Sequence, residues 1–304
     1  MNSPMRGAAL IIAMLVAALA AVVAMSIAAS QQQWAASVTQ RRDQVQAQAL
    51  ALAGVQWARQ IMFDDAAQGA IDHLNEPWAL PLPATPIENG SIEGRIIDAQ
   101  GLLNVNDLGA STPAGSIARR RFTRLFASLG LPSALADTLG DWVDADNATR
   151  ENGAEDAWYL AQMPPSLAAN APMLRASEAA LVKGITPAAL DVLLPNMTAL
   201  PAEAPLNVNT APPAVLATVA DGLAGSGIAA LVATRRQRPF SSIADFRTRL
   251  PQGVVLGDES TLSVSSNYFL VMVRARQGDT QARARALLKR GGGGWPTIVW
   301  QVIE

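Results

Sequence analysis

An uncharged apolar block near the N-terminus constrains this chain more than any other feature. It spans residues 8–29 and follows a short polar start that ends in Arg6 and Gly7. As a helix, these 22 residues would reach about 33 Å, enough to cross a hydrocarbon core of about 30 Å. The apolar core of a secretory signal is shorter, about 7 to 15 residues. The block therefore predicts a retained membrane span, although Ala28-Ala29-Ser30 would suit cleavage if it were a signal instead.

The helical pattern continues beyond the apolar block. Residues 31–65 contain no Pro and one Gly. Apolar side chains recur there at spacings of three, four or seven residues, which places them on one face of a helix. They are Trp34, Val38, Val45, Ala49, Leu52, Val55 and Met62. The sequence predicts a single helix of more than fifty residues that leaves the membrane and enters the rest of the protein.

Composition excludes several classes of function. The chain has 304 residues, of which 50% are hydrophobic, and this allows one or two domains with sizeable cores beyond the span. The absence of Cys rules out disulfides, thiolate metal sites and a Cys nucleophile. A net charge of −2 gives no general attraction to nucleic acid or anionic lipid. The single histidine, His73, lies in a Pro-punctuated stretch without a nucleophile motif, so we interpret it as a solvated loop residue.

The rest of the sequence predicts a small sheet interrupted by helices. Prolines in 75–89 predict a linker, and alternation in 91–99 predicts a first strand. The period changes to two near the C-terminus, where strands are predicted at 260–276, 281–289 and 295–303. Between these regions short helices are separated by Gly, Pro and Asn. They are predicted at 116–129, 132–144, 156–163, 177–182, 187–194, 212–219, 227–235 and 243–249.

The predicted fold class is α+β: a long N-terminal helix packed on a small antiparallel sheet, with a large all-α domain inserted between strands. The predicted segments are a leader (1–7), the span (8–29), the helix continuation with linker and first strand (30–100), the inserted domain (101–255) and the remaining strands (256–304).

A short internal repeat lies within the helical block. Leu-Asn-Val-Asn occurs at 103–106 and again at 206–209, each time before a helical stretch. Asn side chains bond nearby backbone N–H groups in turns and at helix starts, so we interpret the repeat as turn chemistry. It also indicates two related helical units that pack together as one subdomain.

The second unit resembles the helix-hairpin-helix modules of some DNA-binding proteins. The resemblance rests on the repeat at 206–209, on Gly225-Ser-Gly227, and on arginines at 235, 236, 238, 247 and 249. In such modules the hairpin offers backbone N–H groups to a phosphate. The alternative function that this implies is a membrane-anchored periplasmic DNA-binding protein.

The strongest chemical feature is an acidic segment at 141–156, with six carboxylates, one Arg and a local charge of −5. Such crowding is unfavourable unless a cation or water screens it. Numbered from Asp144, the spacing of an EF-hand-type calcium loop falls on Asp146, the Arg150 carbonyl and Glu155, although the Gly expected at the sixth position is missing. Oxygen ligands favour Ca²⁺ over zinc or copper. Asp141, Asp156 or Asn147 would complete the shell.

Two other interpretations of this segment stay open. It would also fit a solvated acidic loop without an ion. It would fit a pair of catalytic carboxylates such as Asp144 and Glu155, flanked by Trp142, Trp158 and Tyr159 as in a sugar cleft, but that chemistry requires a separation that sequence does not reveal.

The N-terminus resembles the type IV pilin-like class, through Arg6-Gly7 followed by Ala-Ala-Leu-Ile-Ile at 8–12. This resemblance implies that a prepilin peptidase cuts between Gly7 and Ala8. Most members carry Glu at the fifth mature position, where this chain has Ile12. That departure is similar to the minor pseudopilin K family of bacterial type II secretion. Members of that family also carry an acidic calcium-binding segment like Asp-Trp-x-Asp-x-Asp followed by Gly-Ala-Glu-Asp, which implies a structural Ca²⁺.

The family resemblance implies an assembly role without enzymatic activity. The chain would be a single-pass inner-membrane protein with its C-terminal head in the periplasm, where it helps to initiate or cap a short pseudopilus. The bulky inserted domain would obstruct a subunit stacked above it, which predicts the tip position, and Ile12 supports the same placement. Implied partners are the I and J types of minor pseudopilin, possibly the H type, the inner-membrane assembly platform and the prepilin peptidase.

Overall fold

The computed structural model describes residues 5–291 and 294–304, with side chains from residue 8 onward. Residues 1–4 of the predicted leader lie outside the described part of the chain. Helix α1 (Met5–Ala66) is one continuous helix of 62 residues. Its most apolar window has a mean hydropathy of 2.8, and none of that window is buried against the protein. The predicted long helix is confirmed.

The buried face of α1 differs from the predicted apolar face. Small residues dominate the buried face, and the helix contacts the sheet through Ala47, Ala51, Val55, Ala58 and Met62. Only two of the predicted apolar residues, Val55 and Met62, belong to it.

The other predicted positions form a second surface on α1. Trp34, Val38 and Val45 are 70%, 46% and 65% exposed. At about 100° per residue these positions lie far round the helix from the buried face. We call residues 34, 38, 45 and 49 the exposed stripe of α1; Leu52, the fifth of these positions, is half-buried.

The head contains one five-stranded antiparallel sheet with the strand order β1-β2-β9-β10-β11. Its strands are β1 (Leu82–Ile87), β2 (Gly90–Asp98), β9 (Tyr268–Gln277), β10 (Thr280–Lys289) and β11 (Thr297–Ile303). The three predicted C-terminal strands are therefore present, and β9 begins eight residues later than predicted. The prediction of a linker throughout 75–89 was wrong at β1, where an edge strand tolerates Pro83 and Pro86 because its outer N–H groups have no ladder partner.

The core of the head lies between α1 and one face of the sheet. Alternation in β10 directs Ala282, Ala284 and Ala286 toward the helix, and all three are fully buried. These small side chains let the helix approach the sheet closely. The same close approach requires Gly54 on α1, because a Cβ at this position would lie 2.7 Å from Val273 Cγ1.

The inserted domain, which we call the insert, occupies residues 99–267 between β2 and β9. Its helices are α2 (Pro113–Ser128), α3 (Leu135–Val143), α4 (Asp156–Leu160), α5 (Pro187–Leu193), α6 (Pro213–Leu216), α7 (Gly225–Gln237) and α8 (Ile243–Thr248). The eight predicted helices all correspond to helical residues, although 176–181 is a 3₁₀ helix. The insert has a core of its own, separate from that of the head.

The insert is not purely helical, contrary to the prediction. Three pairs of two-residue strands tie its segments together: β3 (Leu103–Asn104) with β4 (Met197–Thr198), β5 (Leu206–Asn207) with β8 (Leu262–Ser263), and β6 (Ala220–Asp221) with β7 (Val255–Leu256). Because β8 belongs to this domain, the predicted boundary at residue 255 lies too early in the chain.

The two Leu-Asn-Val-Asn repeats occupy equivalent places in the insert. The first Asn of each forms a local turn, since Asn104 and Asn207 accept the N–H two residues later. The second Asn makes two hydrogen bonds to the backbone of a residue far away in the chain. The Asn106 side chain accepts from the N–H of Met173 and donates to its carbonyl, and the Asn209 side chain does the same with Phe240. The predicted turn chemistry is confirmed, and the second Asn of each repeat also ties together segments that are distant in the sequence.

A buried polar cluster joins the insert to the head. Asp98, at the end of β2, accepts hydrogen bonds from Asn207, Thr210 and Ser266 of the insert at 2.9, 2.6 and 2.6 Å. Nearby, Arg290 pairs with Asp72 at 2.5 Å. The three bonds to Asp98 fix the insert to the sheet at one end of the head.

Candidate functional site

The acidic segment folds around the end of α3. All nine residues of α3 are buried, so this helix is held on every side, and Asp141 lies in its last turn. The chain then runs through an exposed loop and returns at Glu155, which precedes α4. Both flanking helices thus present carboxylates to the same place.

Three of the predicted ligand residues come together there. Asp141, Asp144 and Glu155 each offer a carboxylate oxygen, and these oxygens all lie within 4.8 Å of one another. The three residues are 0%, 7% and 3% exposed. Asp141 and Asp144 are three residues apart, and this spacing points side chains to one side of a helical turn. We call these three residues the carboxylate cluster.

Arg150 supplies one positive charge to the cluster. Its Nη1 lies 2.7 Å from Asp141 Oδ1 and 2.6 Å from Asp144 Oδ2. Its backbone N–H also donates to Asp141, and its carbonyl oxygen accepts the N–H of Gly153. The sequence predicted a role for the carbonyl alone. The structure shows that the guanidinium is the residue's main contact with the cluster.

Glu155 has no partner for either of its oxygens among the described residues, although both are buried. Desolvation, together with the charges of Asp141 and Asp144, raises the pKa of this carboxyl to about 7. Desolvation likewise raises the pKa of Asp144, and one of its oxygens is also unpaired. One guanidinium therefore leaves the cluster with unmet negative charge, which a cation would satisfy.

The remaining predicted ligands lie outside the cluster. Asp146 is exposed, and its side chain accepts a hydrogen bond from the N–H of Ala148 within the loop at 2.9 Å. Asp156 accepts the N–H of Ala168 at 3.0 Å, which ties α4 to the following loop. Asn147 accepts the N–H of Asp156 at 3.3 Å.

Gly153 allows the loop to approach the cluster. A Cβ at this position would lie 1.7 Å from Asp141 Oδ2, so any side chain here would collide with the carboxylate. Lys183 reaches across and donates to the Gly153 carbonyl at 3.0 Å. Sequence reasoning missed both Lys183 and the Arg150 guanidinium, since neither contact has a spacing signature.

The aromatic residues near the cluster pack on one another. Trp142 and Trp158 each meet Tyr159 edge to face, with ring centroids 5.1 and 4.9 Å apart. Trp142 and Tyr159 are buried in the core of the insert. These rings pack against one another beside the carboxylate cluster. They do not form the open aromatic surface on which a sugar substrate would bind.

Most arginines of the helix-hairpin-helix-like unit are already engaged. Arg235 is buried and donates to the carbonyl of Val208 at 2.8 Å. Arg238 and Arg249 pair with Asp245, and Arg247 pairs with Glu259. These contacts leave little free positive charge for a phosphate backbone, so the geometry does not favour the DNA-binding alternative.

Comparisons with known proteins agree with one another. Two family models described as type II secretion system (T2SS), protein K match residues 101–202 and 206–265. The chain is 34% identical over 307 residues to the type II secretion system protein K of Pseudomonas aeruginosa, covering 97% of this chain and 91% of that relative. It is 30% identical over 308 residues to that of Klebsiella pneumoniae, covering 96% and 94%.

The fold is also similar to a solved structure. One chain in the crystal structure of the GspK-GspI-GspJ complex from the enterotoxigenic Escherichia coli type 2 secretion system matches with a TM-score of 0.75 and 24% identity. The match covers 88% of this chain and 99% of that one. The predicted α+β fold class is confirmed.

Proposed function

The chain belongs to the type II secretion system protein K family of minor pseudopilins, and from this premise we propose that it is the tip subunit of a short periplasmic pseudopilus. In this role it helps to initiate or cap the filament and catalyses no reaction. The observation that carries the proposal is α1, a single helix that runs from an apolar span into the core of the head.

The exposed stripe of α1 supports assembly into a filament. Trp34, Val38 and Val45 present exposed apolar surface on the part of α1 that lies beyond the span. Large exposed apolar surfaces on one side of a helix mark contacts with another helix. Neighbouring subunits would cover this stripe when the filament leaves the bilayer.

The insert and Ile12 support the tip position. The insert contains more residues than the head does outside the membrane. A domain of this size would obstruct a subunit stacked above it. Ile12 provides no carboxylate for the N-terminal amine of a neighbouring subunit. A subunit that ends the filament needs neither a free upper surface nor that ion pair.

We propose minor pseudopilins of the I and J types as direct partners, the H type as a further partner, and the inner-membrane assembly platform as the point of attachment. The similar E. coli chain was crystallised in a complex with GspI and GspJ, which supports the first part of this proposal. The head would lie in the periplasm and the span in the inner membrane.

A charge placed on the exposed stripe tests the filament role. Val45→Asp adds a carboxylate well beyond the span, so membrane insertion should be unaffected, while secretion by a strain that lacks this protein should no longer be restored. Gln46→Asp is the matched control, since the next residue is also exposed but lies off the stripe. Equal secretion with both variants would contradict the proposed use of this stripe.

We further propose that a prepilin peptidase cuts between Gly7 and Ala8. Intact mass of the protein from a strain that has the peptidase should give a mature chain that begins at Ala8. A chain that begins near Ser30 would show that the apolar block is a removed signal, and it would overturn the proposed filament role.

We propose that the carboxylate cluster holds a structural Ca²⁺. Its support is the buried and unpaired Glu155, whose oxygens face Asp141 and Asp144. Asp146, Asp156 and the Arg150 carbonyl lie in the same segment and stay candidates for further ligands. The ion would compensate the excess negative charge and fix the loop between α3 and α4.

A further inference from the structure

Five arginines occupy the face of the sheet that points away from α1. They are Arg95 on β2, Arg274 and Arg276 on β9, and Arg283 and Arg285 on β10. We call this set the arginine face. It belongs to a chain whose net charge is −2, so it is a local concentration of positive charge and not part of a generally basic surface.

Strand register brings these arginines close to one another. Arg274 lies directly opposite Arg283 in the β9–β10 pairing, and Met272 separates Arg95 from Arg285 in the next row. Like charges directly opposite each other across antiparallel strands are unfavourable. This surface is exposed, so neutral residues in these positions would remove the repulsion in the protein without a bound partner.

Carboxylates of the chain neutralise only part of this charge. Arg274 pairs with Glu93 at 2.6 Å, and Arg285 pairs with Glu304 at 2.9 Å. Arg95, Arg276 and Arg283 are exposed and have no carboxylate within ion-pair distance in the described part of the chain. A groove of about 540 Å³ runs over the same surface and is lined by Arg95, Arg274, Arg283 and Arg285.

From this geometry we infer that the arginine face binds an acidic segment of a partner polypeptide. The charges together span three strands, or about 10 Å, and about four residue steps in the direction of the strands, or about 13 Å. That spread is too wide for one small anion. It suits a chain of carboxylates about 5 to 7 Å apart, the spacing that alternate strand residues or successive helical turns provide. Arginine binds carboxylates through two parallel hydrogen bonds, which adds orientation to charge.

Position in the molecule disfavours an anionic lipid as the occupant. The β9–β10 turn at Gly278 lies next to Asp43 on α1, and it is the end of the sheet closest to the span. Asp43 is 14 residues beyond the end of the apolar block, or about 21 Å along the helix. Headgroup charge is screened within about 8 to 10 Å at physiological ionic strength. This step relies on α1 as a membrane span but not on the pseudopilus role.

The test measures binding of a labelled decaglutamate peptide to the full-length protein in nanodiscs of zwitterionic lipid, by fluorescence anisotropy. A decaglutamine peptide serves as the neutral probe. The triple variant Arg95→Gln/Arg276→Gln/Arg283→Gln keeps both ion pairs of the face. The matched control, Arg41→Gln/Arg120→Gln/Arg236→Gln, removes three exposed arginines that lie elsewhere and have no ion-pair partner among the described residues.

We expect the wild type and the control to bind decaglutamate, more weakly as salt is added, and the face variant to bind about tenfold more weakly or not at all. Equal binding by both triple variants would overturn the proposal, as would no preference of the wild type for decaglutamate over decaglutamine. Loss of decaglutamate binding when phosphatidylglycerol replaces the zwitterionic lipid would also overturn the proposal, because the arginine face would then contact lipid headgroups.

A second variant separates binding from folding. Arg283→Glu places an opposite charge across from Arg274, so the melting temperature should stay the same or rise while decaglutamate binding falls. Retained binding in this variant would also contradict the inference.

Discussion

Replacing Glu155 by Gln removes a buried charge while keeping the shape of the side chain. Without a cation, the ionised Glu155 is costly, because its oxygens are unpaired and face two other carboxylates. The variant amide can instead donate to those neighbours. We therefore expect Glu155→Gln to stabilise the insert in the presence of a chelator and to destabilise it, relative to the wild type, in the presence of Ca²⁺.

The pKa of Glu155 sets the size of the first effect. It rises from 4.5 to about 7 in the folded protein. Since the folded-state pKa lies above the unfolded value, the cost of ionisation is fully present above pH 7 and is relieved as the pH falls toward 4.5. At about 1.4 kcal/mol per pKa unit, the variant should gain up to about 3 kcal/mol at pH 8 in chelator. For a domain of this size, 3 kcal/mol corresponds to a rise in melting temperature of about 6 to 12 °C.

Calcium should stabilise the wild type far more than the variant. An ion that binds only the folded wild type adds about 4.1 kcal/mol at a concentration one thousand times its Kd, which exceeds the gain of about 3 kcal/mol that the variant shows in chelator. The variant lacks one of three clustered carboxylates and should gain much less. Scanning calorimetry of both proteins at pH 8, in chelator and in Ca²⁺, measures the two effects together.

Glu151→Gln is the matched control, because Glu151 lies in the same loop but is exposed. It should behave like the wild type under both conditions. An unchanged melting temperature of the wild type in chelator and in Ca²⁺ would refute the proposed ion. Equal calcium responses of the wild type and Glu155→Gln would refute Glu155 as a ligand.

Two further predictions follow from contacts within the insert. Gly153→Ala should lower the free energy of unfolding by about 2 to 3 kcal/mol in urea titrations, because its Cβ would collide with Asp141. The control is Gly257→Ala, whose Cβ meets no atom within 4 Å and which should cost little. Equal losses in the two variants would contradict the close contact between Gly153 and Asp141. Burial raises the pKa of Asp107 from 3.8 to about 7, so the cost of its ionisation is fully present above pH 7 and is relieved as the pH falls toward 3.8. Asp107→Asn should therefore raise stability by about 1 to 2 kcal/mol at pH 8, by less at pH 5 and by almost nothing below pH 4. Parallel pH profiles of melting temperature for this variant and the wild type would refute that role of Asp107.

Hydropathy and period were sufficient to predict the main elements of the fold. The apolar block and the continuous pattern after it predicted α1, and strict alternation predicted β10 with its alanines facing inward. Strand β1 was missed, because prolines argue against a central strand but not against an edge strand.

Periodicity did not identify the buried face of α1. Residues Ala47, Ala51 and Ala58 fill that face, and their weak hydrophobicity gives little signal. Larger side chains on the exposed stripe gave the stronger pattern. Helix α1 carries two apolar faces, and the sequence alone does not show which of them packs on the sheet.

Charge density located the candidate metal site, but spacing did not give its geometry. The EF-hand spacing grouped Asp144 and Glu155, which lie close together in the structure, with Asp146, which faces solvent. Asp141 joins them because it lies one helical turn before Asp144. The position of the Arg150 side chain depends on the path of the loop, which the residue order alone does not specify.

The position of the insert between two neighbouring strands also determines the timing of folding. Asp98 and Phe269 face each other in the sheet, although the whole insert separates them in the chain. At about 5 to 20 residues per second, roughly ten to thirty seconds of synthesis separate β2 from β9. Most of the sheet that packs on helix α1 is therefore synthesised only after the whole insert, which has a core of its own. Early folding of the insert would bring the two strands together and shorten the period in which the apolar side of α1 is exposed to chaperones and proteases.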